Sequence, residues 1–105
     1  MTEAILAKRD PNRAPTHPGA ILSDMLDDTG TTRTAFARNI GISRQQLHDI
    51  LTGRRPVSRD IAAKIGKAAG NGPGLWLRMQ AAFDAWHAER EVDVSGIETI
   101  AAPAG

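Results

Sequence analysis

This chain of 105 residues has no cysteine and no tyrosine, only two tryptophans and two phenylalanines, and a net charge of +1. Without thiols there is no disulfide scaffold, no thiolate zinc site and no cysteine nucleophile, and a reducing compartment suits it. No apolar run approaches the ~20 residues that a membrane helix needs. The opening Met1-Thr2-Glu3-Ala4-Ile5-Leu6-Ala7-Lys8-Arg9 lacks a basic start followed by a sustained apolar segment. A soluble, cytoplasmic protein is the expectation. Catalysis has little to stand on, because His17, His48 and His87 are far apart and there is neither a His-Glu-x-x-His pair nor a glycine-rich phosphate loop. Asp24, Asp27 and Asp28 have no histidine set beside them and read as a solvated helix face. No catalytic residue, metal or cofactor is expected.

What is present is helical periodicity. Phe36, Ala37 and Ile40 fall at i, i+1 and i+4, on one face of a helix that the Thr32 hydroxyl can open. Gly41 follows directly, where a left-handed residue ends a helix, and Ser43 caps a second helix whose inward face is Leu47, Ile50 and Leu51. Two short helices across a tight turn, with the small Ala37 at their closest approach, form the pattern of a helix-turn-helix, whose second helix enters a DNA major groove. An αα-corner without any ligand has the same periodicity. Charge separates the two readings. From Thr32 to Lys67 the net charge is +6, whereas residues 1–31 carry −2 and residues 68–105 carry −3. A nearly neutral chain thus holds a basic module between acidic flanks, with its cations around the reading helix.

The remaining elements follow from the same signals. Thr16 or His17 precedes Pro18 at the start of a first helix with an Ile21, Leu22, Met25, Leu26 stripe, and Gly30 closes it. Acidic residues at its C-terminal end oppose the helix dipole, which suggests pairing with arginines. Ser58 caps a fourth helix with Ile61, Ala62, Ile65 and Ala69 inward. Pro73 opens a fifth. Its stripe of Leu75, Trp76, Met79, Phe83 and Trp86 is more aromatic than packing on small helices requires, and these five residues are assigned to a homodimer interface. The expected architecture is all-α, with five helices over residues 16–88, a flexible arm over 1–15 and a tail over 89–105. Arg9 or Arg13 of the arm is a candidate for a minor groove.

Arg44, Gln45, His48 and Asp49 are the first exposed side chains of the reading helix and are assigned to base edges. Arginine can donate twice to guanine, glutamine can pair with adenine, and aspartate can accept from cytosine. Asp49 has the alternative of pairing with Gln45 or an arginine. Arg33, Ser43, Gln46, Arg54 and Arg55 are assigned to phosphates, which fix orientation without reading sequence.

The segments His17-Pro18-Gly19, Ile42 to Leu47, Leu51-Thr52-Gly53-Arg54-Arg55 and Leu75 to Trp86 together resemble the HigA family of antitoxins, in the Xre/Cro group of five-helix (lambda-repressor-like) DNA-binding domains. The specific signals are His-Pro-Gly and the spacing of Trp76, Gln80 and Trp86. Ala20 and Gly72 depart from the family, which usually has an acidic residue and a capping hydroxyl there. The resemblance implies a type II antitoxin that binds operator double-stranded DNA as a homodimer, represses its own operon, and neutralises a HigB-like, RelE-fold mRNA endonuclease toxin. The alternatives are a phage- or plasmid-type repressor with no toxin partner, and a protein-only adaptor built on the aromatic helix.

Overall fold

The computed structural model describes residues 12–101. Its elements are five helices: α1 Pro18–Thr29, α2 Arg33–Ile40, α3 Arg44–Leu51, α4 Arg59–Ala69 and α5 Pro73–Glu91. The first four each start on a side-chain cap. The acceptors are His17 Nδ1 for the Gly19 amide (2.9 Å), Thr32 Oγ1 for Ala35 (3.1 Å), Ser43 Oγ for Gln46 (3.0 Å) and Ser58 Oγ for Ile61 (3.3 Å). Each cap satisfies one of the amides that a helix start leaves unpaired.

The turn between α2 and α3 is as tight as expected. Gly41 adopts φ +75°, its amide reaches Arg38 O, and the Ile42 amide reaches back to Ala37 O at 3.0 Å. This is a Schellman-type end, which lets α3 begin two residues later. Ala37 is buried between the helices.

One core joins all five helices through Leu22, Leu26, Phe36, Ala37, Ile40, Leu47, Ile50, Val57, Ile61, Ala62, Ile65 and Trp76. Two glycines make the packing possible through what they lack. A Cβ on Gly19 would lie 1.9 Å from Ile50 O, so α1 and α3 meet backbone to backbone there. A Cβ on Gly66 would lie 2.2 Å from Gly72 O, and Gly66 O accepts the amides of Gly70, Asn71 and Gly72 in the turn into α5. That triple acceptor closes α4 against a helix start, at Gly72, that has no side-chain cap.

The structure corrects the expected dimer stripe at Trp76. It is 1% exposed, and its indole N–H donates to Asn71 Oδ1 at 2.9 Å, so it closes this chain's own core and is out of reach of a second copy. The aromatic excess that pointed to an interface is partly consumed inside the chain. The last helix also runs to Glu91, three residues past the boundary expected at 88. Arg9 lies outside the described residues.

Candidate nucleic-acid interface

Helix α3 is eight residues long and is pinned from one side. Leu47 and Ile50 have no exposed surface, and Leu51 packs partly buried beside them. An α-helix anchored along these positions turns position 45 directly outward and position 48 to its flank, while position 44 is left exposed as the first residue of the helix. Arg44, Gln45 and His48 are accordingly exposed, while Gln46 and Asp49 are half-buried at the margins.

These side chains are tied to one another rather than loose. Arg44 Nη1 donates to Thr34 Oγ1 of α2 at 2.7 Å, which draws the guanidinium across the opening of the helix pair. Gln45 Nε2 donates to Asp49 Oδ1 one turn further on, at 2.9 Å. Asp49 therefore takes the alternative that its sequence left open, a glutamine partner. Thr34 had no signal in the sequence, since its partner lies ten residues away on another helix.

The residues expected around phosphates fall into two groups. Arg54 and Arg55 are exposed on the connection after α3, where Gly53 turns the chain at φ +80° and the Arg55 amide donates back to Asp49 O at 3.0 Å. Ser43 uses its hydroxyl as the α3 cap, and Gln46 presents the amide that is capped. Arg33 is engaged elsewhere. Its two nitrogens reach Asp27 Oδ1 at 2.6 Å and Ser23 Oγ at 2.8 Å, so the acidic end of α1 is paired with an arginine. In the free chain Arg33 is thus a strut between α1 and α2.

The connection is held from behind by α5. Gln80, buried, accepts the Val57 amide on Oε1 at 2.7 Å and donates to Asp84 Oδ1 at 2.9 Å. Beside it, the His17 ring lies over Gly53 and meets Phe83 edge-on at 4.8 Å between centroids. Burial lowers the His17 pKa below its ordinary value, against the opposing pull of the Asp84 charge. The cap requires this, because Nδ1 accepts a hydrogen bond only when it carries no proton. His17, Gly53, Val57 and Gln80 thus lock the first helix, the end of α3 and the last helix together.

The rest of α5 presents a second face. Leu75, Met79, Ala82 and Trp86 follow each other at spacings of four, three and four, and Ile21 of α1 borders the same groove as Met79 and Ala82. Leu75 and Ile21 are about 40% exposed, Met79 and Trp86 are half-buried, and the Arg90 guanidinium covers the Trp86 ring at 3.9 Å. Phe83, also half-buried, meets the rings of His17 and His87. Among the described residues no three metal-ligating side chains gather, and no helix is long and apolar enough to cross a membrane.

A family model described as a helix-turn-helix domain matches residues 19–75. Antitoxin HigA-1 of Vibrio cholerae is 32% identical over 79 residues, which are 74% of this chain and 74% of that protein. A solved Nostoc punctiforme protein, described as an antidote of a plasmid maintenance system, is 41% identical over 74% of this chain and 86% of its own, with a TM-score of 0.72. The Pseudomonas aeruginosa antitoxin HigA, solved with the higBA promoter, has a TM-score of 0.70 at 25% identity, over 82% of this chain and 97% of its own. The chain belongs to the helix-turn-helix family of Xre-type domains and, within it, to the HigA antitoxins.

Proposed function

We propose that this antitoxin reads operator DNA with α3, that two copies do so together about the exposed α5 seam, and that the dimer represses its own operon and neutralises a HigB/RelE-like endonuclease toxin. The observation that carries the DNA reading is the opposition of two faces on one short helix. Leu47 and Ile50 have no exposed surface, while Gln45 points away from them, Arg44 and His48 are exposed at the first turn and the flank, and Arg54 and Arg55 are exposed on the connection that follows. Arg44 and Gln45 suit base edges, and Arg54 and Arg55 suit phosphates. The Pseudomonas aeruginosa relative solved with a promoter supports this use of the fold.

A two-fold axis through the seam of Leu75, Met79, Ala82 and Trp86 would set two α3 helices on successive major grooves, about 34 Å apart. The toxin role rests on family membership, and co-expression with a HigB-type toxin tests it. Growth restored by this chain supports the role, and growth arrest unrelieved by it removes the role.

The test of DNA reading is fluorescence anisotropy on duplex from upstream of the gene, with the double variant Arg44→Ala, Gln45→Ala. Each lost base contact costs about 1–3 kcal/mol, so a fall in affinity of at least tenfold is expected. The wild-type affinity should also drop steeply with added salt, by a slope of about −0.9 per phosphate neutralised. An unchanged affinity in the double variant, or a flat salt response, would refute the assignment.

A further inference from the structure

We infer that Asp49 is a positioning residue whose bond to Gln45 makes that glutamine select adenine against guanine in the operator. The inference rests on α3 being the groove-entering helix and adds which base Gln45 takes and why.

Gln45 Nε2 lies 2.9 Å from Asp49 Oδ1. An ionised carboxylate only accepts hydrogen bonds, so the amide can face it only with its NH2 group. One of the two N–H bonds of Gln45 is thereby occupied. One N–H and the carbonyl oxygen remain free. The major-groove edge of adenine offers an acceptor, N7, next to a donor, N6–H2, and so takes one donor with one acceptor. Guanine offers two acceptors, N7 and O6, and takes two donors. An unconstrained glutamine can turn its NH2 toward guanine, but Gln45 held by Asp49 has a single N–H left.

The geometry around Asp49 suits this work. It is half-buried at the margin of α3, and its backbone carbonyl accepts the Arg55 amide at 3.0 Å, so the carboxylate stands on a part of the helix pinned at its end. A carboxylate next to the base also disfavours an edge made only of acceptors more than one that carries a donor. Asp49 reading cytosine directly would require it to give up Gln45, and the structure instead gives it a partner of its own helix.

The experiment is a selection of sites from a random duplex pool with the wild-type chain, which defines the position where Gln45→Ala erases preference. Duplexes differing there only as adenine or guanine are then titrated with wild type, Asp49→Ala and Asp49→Asn, and melting curves confirm that all three fold. Asparagine can turn either way toward Gln45, so Asp49→Asn removes the polarity of the bond while keeping its size. The wild type should prefer adenine by roughly tenfold or more, and both variants by no more than about threefold. Adenine preference kept in full by both Asp49 variants would overturn the inference while leaving the α3 reading intact. So would a preference that Asp49→Ala loses at a different, cytosine-bearing position. If Gln45→Ala and Arg44→Ala change neither affinity nor preference, the α3 reading itself falls, and this inference with it.

Discussion

Gly19 and His17 show how much of this fold depends on single atoms. The missing Cβ of Gly19 is the space in which Ile50 O sits, and an added methyl would have to push α1 and α3 apart along their backbones. Gly19→Ala is expected to destabilise the chain on the order of 3 kcal/mol, seen as a melting temperature lower by more than 10 °C. A drop within a few degrees would mean that the helix ends part easily. His17 acts through its proton. Its pKa lies below the ordinary 6.5 because burial disfavours the charged ring, and Asp84 only partly offsets this. The unfolded chain therefore binds the proton first as pH falls. The contribution of His17 is complete above about pH 6.5 and is lost as pH drops through the window below it. Asparagine can cap the helix without titrating. Urea unfolding between pH 7.5 and 5 should accordingly show a smaller acid loss in His17→Asn than in wild type, and equal losses would exclude His17 as the cause.

The helices are linked by side chains that serve two of them at once. Gln80 is the clearest, since it holds the Val57 amide of the connection after α3 and the Asp84 carboxylate of its own helix. Gln80→Ala leaves the buried Val57 N–H without its acceptor, a cost of about 1–3 kcal/mol beyond the lost packing. Lower stability together with weaker operator binding is expected, because Arg54 and Arg55 precede Val57 on the same connection. Stability lost with operator affinity unchanged would separate the connection from the contact surface. The pairing of Arg33 with Asp27 and Ser23 works in the same manner between α1 and α2. Its partial exposure limits it to at most about 1 kcal/mol.

At the scale of the molecule the two faces of α5 divide the labour. Trp76 and Gln80 close the core, and Leu75, Met79, Ala82 and Trp86 run along a neighbouring strip with the heptad-like spacing that suits a partner helix. Leu75→Glu, at a residue 38% exposed, should convert a dimer into a monomer by light scattering while helical content is retained. Operator affinity should fall at least tenfold, since half-sites would be bound singly. An unchanged mass would place the dimer contact elsewhere or remove it. Trp76→Ala should behave in the opposite sense, and unfold the chain before it changes its oligomeric state, because the ring has 1% of its surface exposed.

The five-helix plan, the capping residues Thr32, Ser43 and Ser58, the left-handed Gly41 and the inward set Phe36, Ala37, Ile40, Leu47 and Ile50 were all legible from the sequence alone. Caps and apolar periodicity are local signals, set by side chains within a few residues of one another. The outward position of Arg44 and Gln45 was legible for the same reason. The tertiary structure alone decided which partner each exposed group meets. Periodicity places Trp76 and Trp86 on one apolar helix but cannot say that the first faces Asn71 and the core while the second lies under Arg90. Charge counting gives Arg33 and Arg54 equal standing, and only the approach of α1 to α2 spends the first on Asp27. Thr34 beneath Arg44, and Gln80 behind Val57, depend on contacts between elements, and distance along the chain carries no trace of such contacts.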